Sequence, residues 1–150
     1  MKNLTLEHIA DCCHGTYIGP EEQRNFEVTG VVIDSRKAEA GNLFVAIKGE
    51  RVDGHTFIDA VYGQGAAAVV SEQRLEVPKG PYILVESTAQ ALKDIAAFYR
   101  DSLDIKVVGI TGSVGKTSTK EMIASVLSEK YRVLKTAGNF NNEIGLPLTI

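Results

Sequence analysis

The sequence has 150 residues, of which 44% are apolar and 23% charged, proportions typical of a globular protein with a buried core. Sixteen basic and nineteen acidic residues give a net charge of -3, which offers no general attraction to nucleic acid or to an anionic membrane. The two cysteines, Cys12 and Cys13, are adjacent, and this excludes a disulfide framework. Neither a signal peptide nor the roughly 20 apolar residues of a membrane span occurs. We expect a cytoplasmic protein with neither nucleic-acid nor membrane partners.

Residues 1–103 are predicted to form a small α/β unit. Runs rich in β-branched and apolar residues predict strands, and apolar spacing predicts helices. The predicted helices cover residues 4–13 and 56–62, and the predicted strands cover residues 28–34, 43–47, 66–70 and 82–85.

A third helix is predicted to begin after Ser87. Ser87 and Gln90 have the spacing of a capping box, in which each side chain accepts from the other residue's backbone N–H. One buried helical face is indicated by the spacing i, i+3, i+4, i+7 of Leu92, Ile95, Ala96 and Tyr99. The polar residues 101–104 then indicate a domain boundary.

Residues 104–150 are predicted to begin a second domain. A strand over residues 107–110, a glycine-containing turn, a helix over 116–130 and a strand over 132–135 are the opening βαβ unit of a doubly wound parallel sheet. The sequence then ends on an apolar run, residues 145–150. Since two or so strands cannot bury this helix, we expect a fragment that ends inside its second domain.

The turn before the fourth predicted helix has the features of a phosphate-binding loop. Glycines let backbone N–H groups converge on phosphate oxygens, a lysine reaches the β- and γ-phosphates, and a hydroxyl ligates magnesium. Ile110 stands where the strict pattern has its first glycine, but the strand–loop–helix context supports the assignment. The predicted ATP-binding residues are Thr111, Gly112, Ser113, Val114, Gly115, Lys116, Thr117 and Ser118, with Lys116 and Thr117 catalytic and Thr117 the metal ligand.

Three further groups of polar residues are candidates for a site. Asn139, Asn141 and Asn142 suit hydrogen bonds to phosphate or to a polar substrate, and equally a turn in which Asn141 or Asn142 caps the next helix. Asp34, Ser35 and Arg36 follow a predicted strand. There Arg36 could bind a phosphate, although taken alone an ion pair with Asp34 is the better interpretation. His55, beside a glycine turn and without a nearby nucleophile, is more often structural than catalytic.

The combination of these motifs resembles the Mur ligase family, the ATP-dependent amide ligases of peptidoglycan assembly. The asparagine-rich motif resembles the branch that adds D-alanyl-D-alanine to UDP-N-acetylmuramoyl-tripeptide. The matching motifs are DSR at residues 34–36, GNLFVAIKG at 41–49, DGH at 53–55, GITGSVGKT at 109–117 and GNFNNEIGLPLT at 138–149.

This resemblance implies an N-terminal domain that holds the UDP moiety, with Ser35 and Arg36 at substrate-contacting positions, and a central domain that binds ATP and magnesium. The peptide carboxylate attacks the γ-phosphate to give an acyl phosphate, and the amine of D-alanyl-D-alanine then displaces phosphate. Val114 stands where the family usually has asparagine, so one loop contact differs. We expect the 150 residues alone to be inactive and the full-length enzyme to be monomeric, while an open strand edge could let the fragment self-associate.

Three alternatives remain open at this point. Within the family, the ligase that adds the third amino acid to UDP-N-acetylmuramoyl-dipeptide shares the N-terminal pattern but should lack the asparagine cluster. A P-loop kinase fits the loop, whereas a GTPase would need an Asn-Lys-x-Asp segment that this sequence lacks. The third alternative is a UDP-sugar-binding module in which the second half of the chain is disordered.

Overall fold

The computed structural model describes residues 1, 3–50, 52–138 and 142–150, and Lys2, Arg51, Asn139, Phe140 and Asn141 lie outside the description. Its first two thirds contain both helices and strands, which confirms the mixed α/β class. The strands are β1 (Thr16–Ile18), β2 (Gly30–Val32), β3 (Asn42–Val45), β4 (Ala68–Ser71) and β5 (Tyr82–Leu84). The α-helices are α1 (Leu6–Cys12), α2 (Ile58–Gly63), α3 (Thr88–Asp101) and α4 (Lys116–Ser128). Within the described residues, no helix has both the length and the apolar character needed to cross a membrane.

The strands form one sheet in the order β1-β5-β4-β3-β2. β2, β3, β4 and β5 pair in parallel, and β1 joins the edge antiparallel to β5. The four parallel strands lie within the predicted strand regions or overlap them. β1 was not predicted, because its three residues lie between Gly15 and Gly19 and not in one of the longer apolar runs that indicated β2 to β5. The strand is held by its pairing with β5.

Helices cover both faces of the sheet. Leu43 and Val45 of β3 face a core that includes buried residues of α1 and α3, whereas Phe44 faces a second core formed with Ile58 and Val61 of α2. Both faces are apolar, as expected for parallel strands buried on two sides. The carboxyl ends of the four parallel strands, where polar loops begin, therefore lie at one edge of a three-layer unit.

α3 begins as predicted, but only half of the capping box forms. The Ser87 hydroxyl accepts a hydrogen bond from the Gln90 backbone N–H at 3.3 Å. The Gln90 side chain donates to Asp94 at 2.8 Å instead of accepting from the backbone of Ser87. The Asp94 carboxylate lies one turn further along the same helical face and is a charged acceptor for the side-chain N–H of Gln90. The Gln90 side chain therefore extends along the helix and not back to Ser87.

Two predicted strands do not form. Residues 107–110 and 132–135 flank α4, which is present as predicted, but both segments lack strand structure. Val107, Val108 and Leu134 are 58%, 59% and 78% exposed. A strand needs the N–H and C=O groups of a neighbour, and these two segments pair with no strand in the part of the chain that the structure describes.

Candidate functional site

The predicted phosphate-binding loop lies directly before α4. Gly112 and Gly115 have φ values of +147° and +82°, in a region that residues with a Cβ rarely adopt. Gly115 is the N-cap of α4, and no side chain caps the helix there. The first N–H groups of a helix are natural partners for an anion, so this helix start fits a phosphate oxygen.

The Lys116 ammonium lies across this loop. Its Nζ donates a hydrogen bond to the Gly112 carbonyl oxygen at 2.5 Å, so the charge already lies among the backbone groups that are predicted to surround a phosphate. Thr117, the predicted magnesium ligand, follows in the first turn of α4 and is exposed. Val114 is 89% exposed at the tip of the loop and leaves the loop open to solvent. The arrangement places a cation beside the start of a helix, a combination that suits a polyphosphate.

Lys120 is a residue of this site that the sequence analysis missed. Its ammonium donates to the carbonyl oxygens of Thr136 and Gly138, each at 2.8 Å, and its side chain is only 15% exposed. The signal in the sequence is its position, four residues after Lys116, which places both lysines on one face of α4. Lys120 thus joins the helix of the phosphate loop to the segment that precedes the asparagine cluster.

Only one residue of the asparagine cluster is described. The Asn142 side-chain oxygen accepts a hydrogen bond from the Gly145 backbone N–H at 2.6 Å, and its carbonyl accepts from Leu146 at 3.1 Å. Asn142 therefore caps a turn, but it is not the N-cap of the helix that follows, because Leu146 holds that position before Pro147–Thr149. Asn139 and Asn141 lie outside the described residues, and substrate contacts by all three asparagines stay predictions.

Asp34 and Arg36 form the expected ion pair just after β2. Both carboxylate oxygens of Asp34 accept from the Arg36 guanidinium, at 2.9 and 2.7 Å, and the Arg36 backbone N–H donates to Asp34 at 3.0 Å. These hydrogen bonds, the side-chain ones first, lower the pKa of Asp34 to about 2. The side chain of Arg36 is 86% exposed, so Asp34 orients a guanidinium that faces solvent. Contacts of Asp34, Ser35 and Arg36 with substrate stay predictions.

His55 has a structural role in the described residues. Its Nε2 accepts from the Glu72 backbone N–H at 3.0 Å, so Nδ1 carries the proton and donates to the Asp53 carboxylate at 2.6 Å. The histidine side chain is only 4% exposed. Hydrogen bonds from His55, the backbone one first, lower the pKa of Asp53. The imidazole thus ties the loop after β3 to the end of β4.

The two regions of the chain touch through α3. The Lys93 ammonium on α3 binds the Glu143 carboxylate at 2.7 Å, directly after Asn142. Ile144 packs against the core that α1 and α3 share. The turn capped by Asn142 is therefore attached to the first region of the chain.

Two family models match this chain. The Mur ligase family catalytic domain matches residues 27–100, and the Mur ligase middle domain matches residues 110–150. A relative from Bacillus subtilis (strain 168), named UDP-N-acetylmuramoyl-tripeptide--D-alanyl-D-alanine ligase, is 45% identical over 100% of this chain and 33% of its own length. The chain thus spans about a third of the length of the curated relatives it matches.

Solved structures resemble the chain as well. A crystal structure of MurF from Acinetobacter baumannii matches this chain with a TM-score of 0.87 and 34% sequence identity. The match covers 97% of this chain and 32% of the Acinetobacter chain. The crystal structure of MurF ligase from Thermotoga maritima in complex with ADP matches with a TM-score of 0.74 and 42% sequence identity. That match covers 80% of this chain and 28% of the Thermotoga chain. Both similarities extend into the second region, because each covers more of the chain than its first 103 residues.

Proposed function

This chain belongs to the Mur ligase family, and we propose that it forms part of the ATP-dependent ligase that joins D-alanyl-D-alanine to UDP-N-acetylmuramoyl-tripeptide. The observation that carries the proposal is the glycine loop at the start of α4, with Lys116 lying across it, in a chain that is 45% identical along its whole length to a ligase of that name. The cytoplasm as the site of the reaction and a monomeric full-length enzyme are predictions that accompany it.

We propose a division into a UDP-substrate domain, residues 1–103, and the beginning of an ATP-binding domain, residues 104–150. α3 ends at Asp101, so the proposed boundary follows the last helix that packs on the five-stranded sheet. The matches at 27–100 and 110–150 lie on either side of that boundary, which supports the division.

In the proposed reaction, backbone N–H groups of the loop hold the ATP phosphates, and Lys116 leaves the Gly112 carbonyl to neutralise charge at the β- and γ-phosphates. The fit is supported by the left-handed glycines and by the helix start that no side chain caps. Thr117 supplies a hydroxyl oxygen, a donor type that suits Mg²⁺. Bound there, the metal would neutralise phosphate charge during transfer.

The proposed chemistry uses two displacements. The terminal carboxylate of the tripeptide attacks the γ-phosphate, which breaks the bond to ADP and forms an acyl phosphate. The amine of D-alanyl-D-alanine then attacks the acyl carbon and forms the amide as phosphate leaves and a proton is lost. Asp34, Ser35 and Arg36 are proposed to contact the UDP substrate, and Asn139, Asn141 and Asn142 to lie near the reacting carboxylate. Because positioning and charge neutralisation carry phosphoryl transfer, no covalent nucleophile is needed.

The replacement Lys116→Ala tests the phosphate loop. We expect it to abolish ATP binding in calorimetric titrations and ATP turnover in the full-length enzyme, since it removes the only side-chain charge placed across the described part of the loop. Lys130→Ala, at an exposed lysine after the same helix, is the matched control and should bind ATP like the parent. Unchanged ATP affinity and turnover in Lys116→Ala would refute the proposal.

Substrate choice separates this proposal from its nearest alternative. The full-length protein is expected to consume D-alanyl-D-alanine with UDP-N-acetylmuramoyl-tripeptide and to release phosphate. Consumption of a single amino acid with UDP-N-acetylmuramoyl-dipeptide would assign the chain to the tripeptide-forming ligase instead.

A further inference from the structure

The Lys120 side chain makes an unusual contact for a lysine in the middle of a helix. Its side chain is mostly covered, and its ammonium donates to two main-chain carbonyls, of Thr136 and Gly138, at 2.8 Å each. Hydrogen bonds from a charged donor are shorter and stronger than neutral ones. The contact therefore restrains a backbone segment that has no strand or helix structure of its own.

The backbone at Gly138 is shaped for this contact. Gly138 has a φ of +49°, in the left-handed region, and this turns the chain directly after Ala137. The two carbonyls, from residues two positions apart, can then reach one ammonium, which has three N–H donors to share. The carboxylate of Glu121 lies 3.5 Å from the same nitrogen and adds opposite charge.

From this geometry we propose that Lys120 is a positioning residue, which ties residues 136–138 to the helix that carries Lys116 and Thr117. The same helical face presents Lys116 to the phosphate loop and Lys120 to this segment, so α4 sets the distance between them. Directly after the asparagine cluster, the Lys93 ammonium of α3 binds the Glu143 carboxylate at 2.7 Å. The chain is thus attached both before and after the cluster. The catalytic part of this inference rests on the proposed function.

The structural part is tested on the 150-residue chain by nitrogen-15 NMR of the lysine ammonium groups. We expect the Lys120 ammonium, assigned by its loss in Lys120→Met, to exchange with water at least about ten-fold more slowly than that of exposed Lys130, because its protons are hydrogen-bonded. Equal exchange rates for the two lysines would overturn the proposal.

The catalytic part is tested on the full-length ligase with Lys120→Met, Lys120→Arg and the control Lys130→Met. In Lys120→Met we expect kcat per folded enzyme to fall about ten-fold, the scale of one charged hydrogen bond, while the KM for ATP changes less than about two-fold. Lys120→Arg keeps a charged donor and should recover part of kcat. Lys130→Met should behave like the parent.

A purely structural role gives a different result, in which Lys120→Met lowers the unfolding midpoint and leaves kcat per folded enzyme unchanged. That outcome overturns the positioning role. If the parent enzyme forms no amide at all, the proposed function fails instead, and the ammonium exchange measurement alone decides whether Lys120 restrains residues 136–138.

Discussion

The first 103 residues and the remaining 47 build their structure in different ways. In the first region five strands pair into a sheet, and apolar side chains such as Leu43, Phe44 and Val45 are completely buried. In the second, Ala124 is the one buried apolar residue among those described, whereas Met122 and Val126 on α4 are 71% and 72% exposed. α4 is nevertheless a complete helix of 13 residues.

The two regions differ because helices and strands satisfy their backbone hydrogen bonds in different ways. A helix satisfies its backbone hydrogen bonds within its own segment, so α4 forms with one apolar face uncovered. A strand satisfies them only through a neighbour, so residues 107–110 and 132–135 stay unpaired although their composition favours strands. The phosphate loop, which needs only local backbone geometry and the start of a helix, takes its shape in the second region all the same.

The largest expected effect is on the free energy of unfolding when a core side chain is removed from the first region. Phe44→Ala in β3 should cost about 3–5 kcal/mol, because it empties a fully buried site between the sheet and α2. Met122→Ala on exposed α4 should change stability by less than about 0.5 kcal/mol. Urea unfolding measures both, and equal costs would mean that the two regions do not differ as described.

A smaller effect is expected from adding one methyl group to a glycine. A Cβ at Gly54 would lie 2.7 Å from the Ile47 carbonyl oxygen and 2.9 Å from its nitrogen, both backbone atoms that cannot move aside easily. Gly54→Ala should therefore destabilise the chain by about 1–3 kcal/mol. Gly109→Ala, in the second region, meets nothing within 4 Å and should change stability by less than about 0.5 kcal/mol. A neutral Gly54→Ala would show that the loop after β3 is less closely packed.

The smallest effect concerns one carboxylate in each region. Arg36 lowers the pKa of Asp34 to about 2, and Lys135 lowers the pKa of Glu121. Since both folded-state values lie below the unfolded ones, each pair stabilises the fold at neutral pH. The contribution of Asp34 is lost as the pH falls from about 4 to about 2, and that of Glu121 begins to be lost below about 4.5.

Asp34→Asn and Glu121→Gln should therefore make the acid side of the stability curve shallower, measured by urea unfolding between pH 5 and about 2. Both changes are expected to be slight, because exposed ion pairs contribute little. Curves that coincide with the parent at every pH would show that neither pair contributes to stability.

Local signals in the sequence located much of the fold and the candidate loop. Runs rich in β-branched and apolar residues predicted β2 to β5, and the glycine turn before Lys116 predicted the start of α4, because both signals depend on residues close together in the chain. The role of His55 could not be read in the same way, since its Nε2 binds a backbone N–H 17 positions away at Glu72. Lys120 was missed for the same reason, because its partners are 16 and 18 positions ahead.

Short-range signals in the sequence thus located the α-helices, the strands β2 to β5 and the glycine turn before α4, because backbone preferences and local spacing govern these features. Contacts between distant parts of the chain set three other features. β1 joins the sheet antiparallel at one edge, His55 carries its proton on Nδ1, and Lys120 holds the backbone at residues 136–138. These features depend on which distant groups come within hydrogen-bonding distance once the chain has packed. Local spacing along the sequence does not predict such contacts.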